Sequence, residues 1–90
     1  MENKVVIITG GAGGIGAAGA KLFAERGAYV VVADYEVTAG EKVVFSLNER
    51  TGKQHLFAPV DVTNSESVNE MVDKMLATYG TIDVLINNAG

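Results

Sequence analysis

The stretch VVIITGGAGGIGAAGAKLF, Val5 to Phe23, decides how the rest of the chain is read. A β-branched run, Val5 to Thr9, enters a corner with glycine at positions 10, 11, 13, 14 and 16, and a helix-like pattern follows. Each glycine loses more backbone freedom on folding than any other residue. A corner this rich in glycine therefore calls for a local reason, either a tight turn or a close approach.

Outward from that corner the apolar period changes regularly. Lys4–Thr9 is almost wholly apolar, as expected of a strand covered on both faces. From Ile15 the positions Ile15, Ala18, Leu22 and Phe23 follow helical spacing, and Gly27 is placed as a stop. Ala28–Ala33 reads as a second buried strand, closed by Asp34. Thr38 with Glu41 predicts a capping box, Val43, Val44 and Leu47 mark a helical face, and Gly52 ends that helix. Gln54–Val60 reads as a third strand with Pro59 at its end, where no ladder donor is required. Asn64 or Ser65 caps a helix with Val68, Met71, Val72, Met75, Leu76 and Tyr79 on one side and Gly80 at its end. Ile82–Ile86 is a fourth strand. Strands alternating with helices of this length predict an α/β fold: right-handed βαβ units, a parallel sheet and helices on both faces.

Ninety residues allow one domain at most, and no linker or internal boundary interrupts residues 1–90. A net charge of −4 argues against nucleic acid as the main partner. No apolar run reaches the roughly 18 residues of a membrane span, and the start, Met1-Glu2-Asn3-Lys4, does not resemble a secretory signal. With no cysteine there are no disulfides or thiolate metal sites, so a cytoplasmic setting is expected. His55 has no cluster of ligand-type neighbours and is not expected to bind metal. Met71 and Met75 are expected in the core, and Glu36, Glu41, Glu49, Glu66 and Glu70 on solvated helix faces.

In a βαβ unit a glycine corner lets the backbone approach a pyrophosphate, while the helix N-terminus offers free N–H groups and the positive end of its dipole. Two frames fit. Gly11, Gly13 and Gly16 satisfy G-x-G-x-x-G, and Thr9, Gly10, Gly14 and Gly16 satisfy T-G-x-x-x-G-x-G. Glycines serving only turns and close packing remain the alternative. A nucleoside-triphosphate loop needs Lys-Ser/Thr after the glycines, but Ala17 and Ala18 follow Gly16. Asp34 ends strand two about twenty residues on, where such folds place an acid for the ribose hydroxyls; capping the next helix is its plainer role. Its neighbour Tyr35 supplies no cation for a 2′-phosphate, and the loop holds neither Arg nor Lys. NAD is therefore the expected cofactor, in preference to NADP.

Thr9-Gly10 with Gly14-Ile15-Gly16, Asp61-Val62 after strand three, and Asn87-Asn88-Ala89-Gly90 after strand four together resemble the short-chain dehydrogenase/reductase family, from Lys4 to the last residue. The resemblance implies a Rossmann-type sheet of order 3-2-1-4, cut off after the fourth strand. It implies that Gly10, Gly14, Ile15 and Gly16 hold the pyrophosphate, with Gly13 in the same loop, and that Asp34, beside Tyr35, meets the adenosine ribose. Asp61 and Val62 would meet adenine, Asp61 accepting from its amino group, and Asn88, Ala89 and Gly90 would line the ribose side. The family's Tyr-x-x-x-Lys pair and its carbonyl-polarising serine lie further downstream in such proteins. Four residues after Tyr29, Tyr35 and Tyr79 stand Ala33, Ala39 and Asp83, so no catalytic residue is assigned among these 90.

The implied function is the NAD(H)-binding N-terminal part of an oxidoreductase that moves hydride between nicotinamide and a small alcohol or carbonyl substrate. The alternatives are a stand-alone adenosine-binding module without catalysis and a structural, self-associating fragment. An unpaired fourth-strand edge in the order 3-2-1-4 predicts self-association.

Overall fold

The structure is a computed structural model and describes residues 1–88. Its elements, in chain order, are β1 (Val5–Thr9), α1 (Gly14–Glu25), β2 (Tyr29–Asp34), α2 (Val37–Thr51), β3 (Leu56–Pro59), α3 (Ser65–Tyr79) and β4 (Val84–Asn87). The strands pair in parallel in the order β3-β2-β1-β4. In the register, Ile7 lies opposite Val31 and Leu85, and Ile8 opposite Val32 and Ile86.

Strand side chains alternate between the two faces, and each face has its own core. Val6, Ile8, Val30 and Val32 pack with Ala20 and Ala24 of α1 and Val44 and Leu47 of α2. Ile7, Val31, Ala33 and Ala58 pack with Met71 and Met75 of α3. Two helices on one face and one on the other explain why β1 is buried along its whole length. Met71 and Met75 are core residues, as expected, and the five glutamates named above are exposed.

Three local expectations are corrected. The face of α1 toward the sheet is Gly16, Ala20 and Ala24, while Ile15 and Leu22 are 83% and 48% exposed and Ala18 is exposed too. Of the expected face only Phe23 packs against the core; the other bulky residues mark the outward side, because small residues let this helix approach β1 closely. The capping box does not form. Glu36 is the N-cap of α2 without a side-chain cap bond, and Thr38 already lies inside the first turn. What holds the entry to α2 is the Glu36 N–H, which donates to Asp34 Oδ1 at 2.9 Å. On α3, Leu76 is 46% exposed and lies outside the buried stripe. Asn64 does cap that helix, its side-chain oxygen accepting from the N–H groups of Glu66 and Ser67.

Strands β3 and β4 are shorter at their starts than expected, for different reasons. Ile82 packs into the core on the α3 face. Asp83 then ties to β1 twice, its N–H donating to the Val5 carbonyl at 2.9 Å and its carboxylate accepting from the Val5 N–H at 2.8 Å. His55, just before β3, replaces a ladder carbonyl with its ring. The Val30 N–H donates to His55 Nδ1 at 3.0 Å in the interior. Nδ1 is therefore unprotonated, and Nε2 carries the proton toward Thr51 Oγ1 at 2.9 Å. Thr51 in turn donates to the Leu47 carbonyl at 2.9 Å, and the His55 N–H donates to Asn48 Oδ1 at 2.7 Å. Among the described residues no group of three or more ligand-type side chains is placed to hold a metal ion. No described helix is long and apolar enough to cross a membrane.

Candidate dinucleotide-binding site

In a parallel sheet all strands end on the same side, and ligands collect beyond the carboxyl ends where the strand order reverses. That reversal falls between β1 and β4 here, since the chain runs outward through β2 and β3 and then returns to the far side of β1. The glycine corner, Asp34, Asp61 and Asn88 each follow or close one of the four strands, so the fold brings the predicted residues to one edge.

The corner's shape distinguishes the two glycine frames. Gly10 and Gly14 have φ of +69° and +55°, a left-handed conformation that side chains rarely adopt. A Cβ on Gly16 would overlap the Gly10 carbonyl oxygen and lie 2.8 Å from Asn88 Nδ2. A Cβ on Gly13 would meet nothing within 4 Å. Geometry within the protein thus demands glycine at the three glycine positions of T-G-x-x-x-G-x-G; in the other frame Gly11 is crowded too, its Cβ falling 3.0 Å from Val32 Cγ1 and 3.1 Å from the Ile8 carbonyl oxygen, while Gly13 faces open space.

The N-terminus of α1 suits an anion. Gly13 is its N-cap, no side chain caps it, and no acidic residue occupies its first turn. Its leading N–H groups and dipole end therefore remain for a ligand. Ile15 sits in that first turn with its side chain outward. These features fit a dinucleotide pyrophosphate.

Asp34 joins two parts of the site. Its Oδ2 accepts the Ala12 N–H at 2.9 Å and its Oδ1 the Glu36 N–H, so the carboxylate is fixed between the glycine corner and the start of α2. Tyr35 beside it is 75% exposed. With Pro59, Val60, Asp61 and Ser67 it lines a cleft of about 260 Å³ beyond β2 and β3. Asp61 Oδ1 accepts from the Thr63 hydroxyl at 2.6 Å and the Thr63 N–H at 3.0 Å, which holds its carboxyl below the usual carboxylate range. Val62 follows it, 39% exposed.

Thr9 carries a role that the motif alone did not reveal. Its hydroxyl accepts the Asn88 N–H at 3.1 Å and lies 3.0 Å from Asn87 Oδ1, which clamps the end of β1 to the end of β4. Asn88 Nδ2 reaches the Gly10 carbonyl at 3.4 Å, so the fourth strand also supports the glycine corner. The motif assigns Thr9 no contact, and nothing in the sequence marks the Ala12 N–H or Ser67 as part of the site. Ala89 and Gly90 lie outside the described residues.

The family model for short chain dehydrogenases matches residues 4–90. The chain belongs to the short-chain dehydrogenase family. It is 49% identical over 90 residues to a 3-oxoacyl-[acyl-carrier-protein] reductase, FabG, of Chlamydia trachomatis, a match that takes in 100% of this chain and 36% of the relative. Among solved structures, L-sorbose reductase from Gluconobacter frateurii, complexed with NADPH and L-sorbose, superposes with a TM-score of 0.95 and 38% identity over 100% of this chain and 34% of its own. NAD⁺-bound xylitol dehydrogenase does so with a TM-score of 0.93 and 38% identity over 99% of this chain and 34% of its own. The chain thus spans about a third of the length of these relatives. The sheet order and the helices on both faces are those of the family; of the two solved relatives, one is complexed with NADPH and the other is NAD⁺-bound.

Proposed function

We propose that residues 1–90 hold the adenosine and pyrophosphate parts of NAD(H), as the amino-terminal part of an oxidoreductase acting on an alcohol or carbonyl substrate. The relatives support that substrate class, since their names describe reduction of 3-oxoacyl and sugar carbonyls and dehydrogenation of a polyol. When bound, the dinucleotide supplies the hydride donor or acceptor. The residues of this chain bind and orient it: the α1 N-terminus meets the pyrophosphate, Asp34 the ribose hydroxyls, and Asp61 and Val62 the base. The Tyr-x-x-x-Lys pair and serine of the family's chemistry fall on none of these residues.

The observation that carries NAD over NADP is the fixed carboxylate of Asp34. Held by two backbone N–H groups, it cannot swing aside for a 2′-phosphate, and Tyr35 and the glycine corner offer no cation to offset the repulsion. The chain should bind NAD about tenfold or more tightly than NADP. Asp34→Ala should weaken NAD by about tenfold or more, the loss of a charged hydrogen-bond acceptor, and narrow the preference. Titration of both cofactors against both proteins checks this; tighter NADP binding to the unmodified chain would refute it.

Self-association belongs to the same proposal. Strand β4 is the outer strand of the described sheet, and Leu85 is 51% exposed on it. Light scattering at high micromolar concentration should report dimers or larger; a monodisperse species of 9.4 kDa would count against it. A cytoplasmic setting, compatible with the absence of cysteine, completes the reading. With a net charge of −4, nucleic acid is no part of it.

A further inference from the structure

We propose that the cleft between α1 and α2 docks the acidic outer side of α3 from a second copy of this chain. The inference rests on the self-association proposed above and names a second surface for it, separate from the edge of β4 and from the nucleotide site.

The cleft has a volume of about 340 Å³ and is lined by Lys21, Lys42 and Arg50, three of the chain's seven Lys and Arg residues, together with Ser46. Val43 and Leu47 add apolar lining. Lys42, Ser46 and Arg50 stand four residues apart and so form one ridge of α2. No acidic residue lines the cleft, although the whole chain carries a net charge of −4. Glu41 and Glu49, the two acids of α2, lie outside the lining. Arg50 pairs with Glu25 at 3.4 Å, whereas Lys21 and Lys42 form no ion pair among the described residues.

The complementary charge lies on the other face of the sheet. There α3 packs through Met71 and Met75. At 3.6 residues per turn, Glu66, Glu70 and Asp73 fall within about 60° of one another, on the side away from Met75. All three are exposed, and none forms an ion pair among the described residues. Lys74, the one cation of α3, lines a separate hollow beside β3 with Phe57 and Pro59. Glu66 to Asp73 covers about 10 Å of helix and Lys42 to Arg50 about 12 Å, so the acidic and basic rows match in length.

Because α1 and α2 cover one face and α3 the other, a chain cannot bring its own row into its own cleft. The contact is between copies, joins unlike surfaces and can propagate head to tail. Exposed ion pairs are individually weak and screened by salt. The association therefore belongs at high protein concentration and falls off with ionic strength.

Light scattering at high micromolar concentration tests this on the unmodified chain, Lys42→Glu and Glu70→Lys, with thermal unfolding to establish that each variant folds. Raising NaCl from about 50 mM to about 500 mM should weaken association of the unmodified chain by about tenfold. Each reversal sets like charges together and should weaken it by about tenfold as well. An equimolar mixture of the two variants should recover it, since the intact acidic row of one meets the intact cleft of the other. Glu70→Lys is the sharper variant. It brings the net charge of −4 nearer zero, so general repulsion alone would tighten association. Tighter association of Glu70→Lys, or a mixture no better than its components, would overturn the proposal. Association indifferent to salt and to both reversals would overturn it too and leave the β4 edge as the contact. A monomer at every salt concentration would refute self-association itself, and the proposal with it.

Discussion

Gly16→Ala should weaken nucleotide binding and destabilise the fold together. The added Cβ overlaps the Gly10 carbonyl oxygen and crowds Asn88 Nδ2 at 2.8 Å. The first of these is backbone and cannot rotate away, so either α1 or the corner must shift. Overpacking of this kind costs about 1–3 kcal/mol, and in a domain this size each kcal/mol lowers Tm by about 4–8 °C. The shift also moves the α1 N–H groups away from the pyrophosphate, and loss of one or two charge-assisted bonds weakens NAD by about ten- to a hundredfold. Gly13→Ala is the informative companion. Its Cβ meets nothing in the protein, so Tm should barely change, while affinity should fall if the pyrophosphate approaches the backbone there. Thermal unfolding and NAD titration on both variants separate packing from ligand approach. Unchanged Tm and affinity in Gly16→Ala would contradict the geometry described.

His55→Ala should be the most destabilising single substitution away from the glycine corner. It removes the acceptor for a buried Val30 N–H, which costs about 1–3 kcal/mol, and it leaves a cavity at a side chain that is 1% exposed. A total of about 3–5 kcal/mol is a large part of the roughly 5–15 kcal/mol that a domain of this kind has. His55→Asn offers a side-chain acceptor and should recover part of the loss. The histidine also makes stability depend on pH. Burial, and secondarily the charge of Lys53, hold its pKa below the ordinary value of about 6.5. The unfolded chain then binds the proton more readily than the folded one. The histidine's contribution is therefore complete above about pH 6.5 and is lost as pH falls from there through the lowered folded value. Between pH 7.5 and 5.5 the unmodified chain should lose more Tm than His55→Asn does. Equal losses in the two proteins would show that His55 is not the titrating group.

Much of this molecule was legible in its sequence because period and punctuation agree. The buried runs around Ile7 and Val31, the Asn64 cap and the glycine ends at Gly52 and Gly80 all stand where the pattern put them. The differences have separate physical causes. Helical spacing places Ile15 and Leu22 on the apolar face of α1, but close approach to a sheet selects small residues, so Gly16, Ala20 and Ala24 carry the contact. The capping box at Thr38 failed because Asp34, from the preceding strand, already holds the chain at Glu36. At the site, residue types marked the strand ends, but the bonds that join them were not legible. Asp34 to the Ala12 N–H, Thr9 to the Asn88 N–H and Ser67 to the Asp61 N–H each link a side chain to a backbone group, and only the fold sets those partners.

The central claim is that these residues form an adenosine-holding NAD site. Calorimetric titration of the chain with NAD, and in parallel with AMP and NADP, tests it most directly. The account predicts saturable binding of NAD and of AMP, because both engage the same adenosine contacts, and weaker binding of NADP than of NAD. No binding of NAD or AMP, or NADP binding more tightly than NAD, would contradict it.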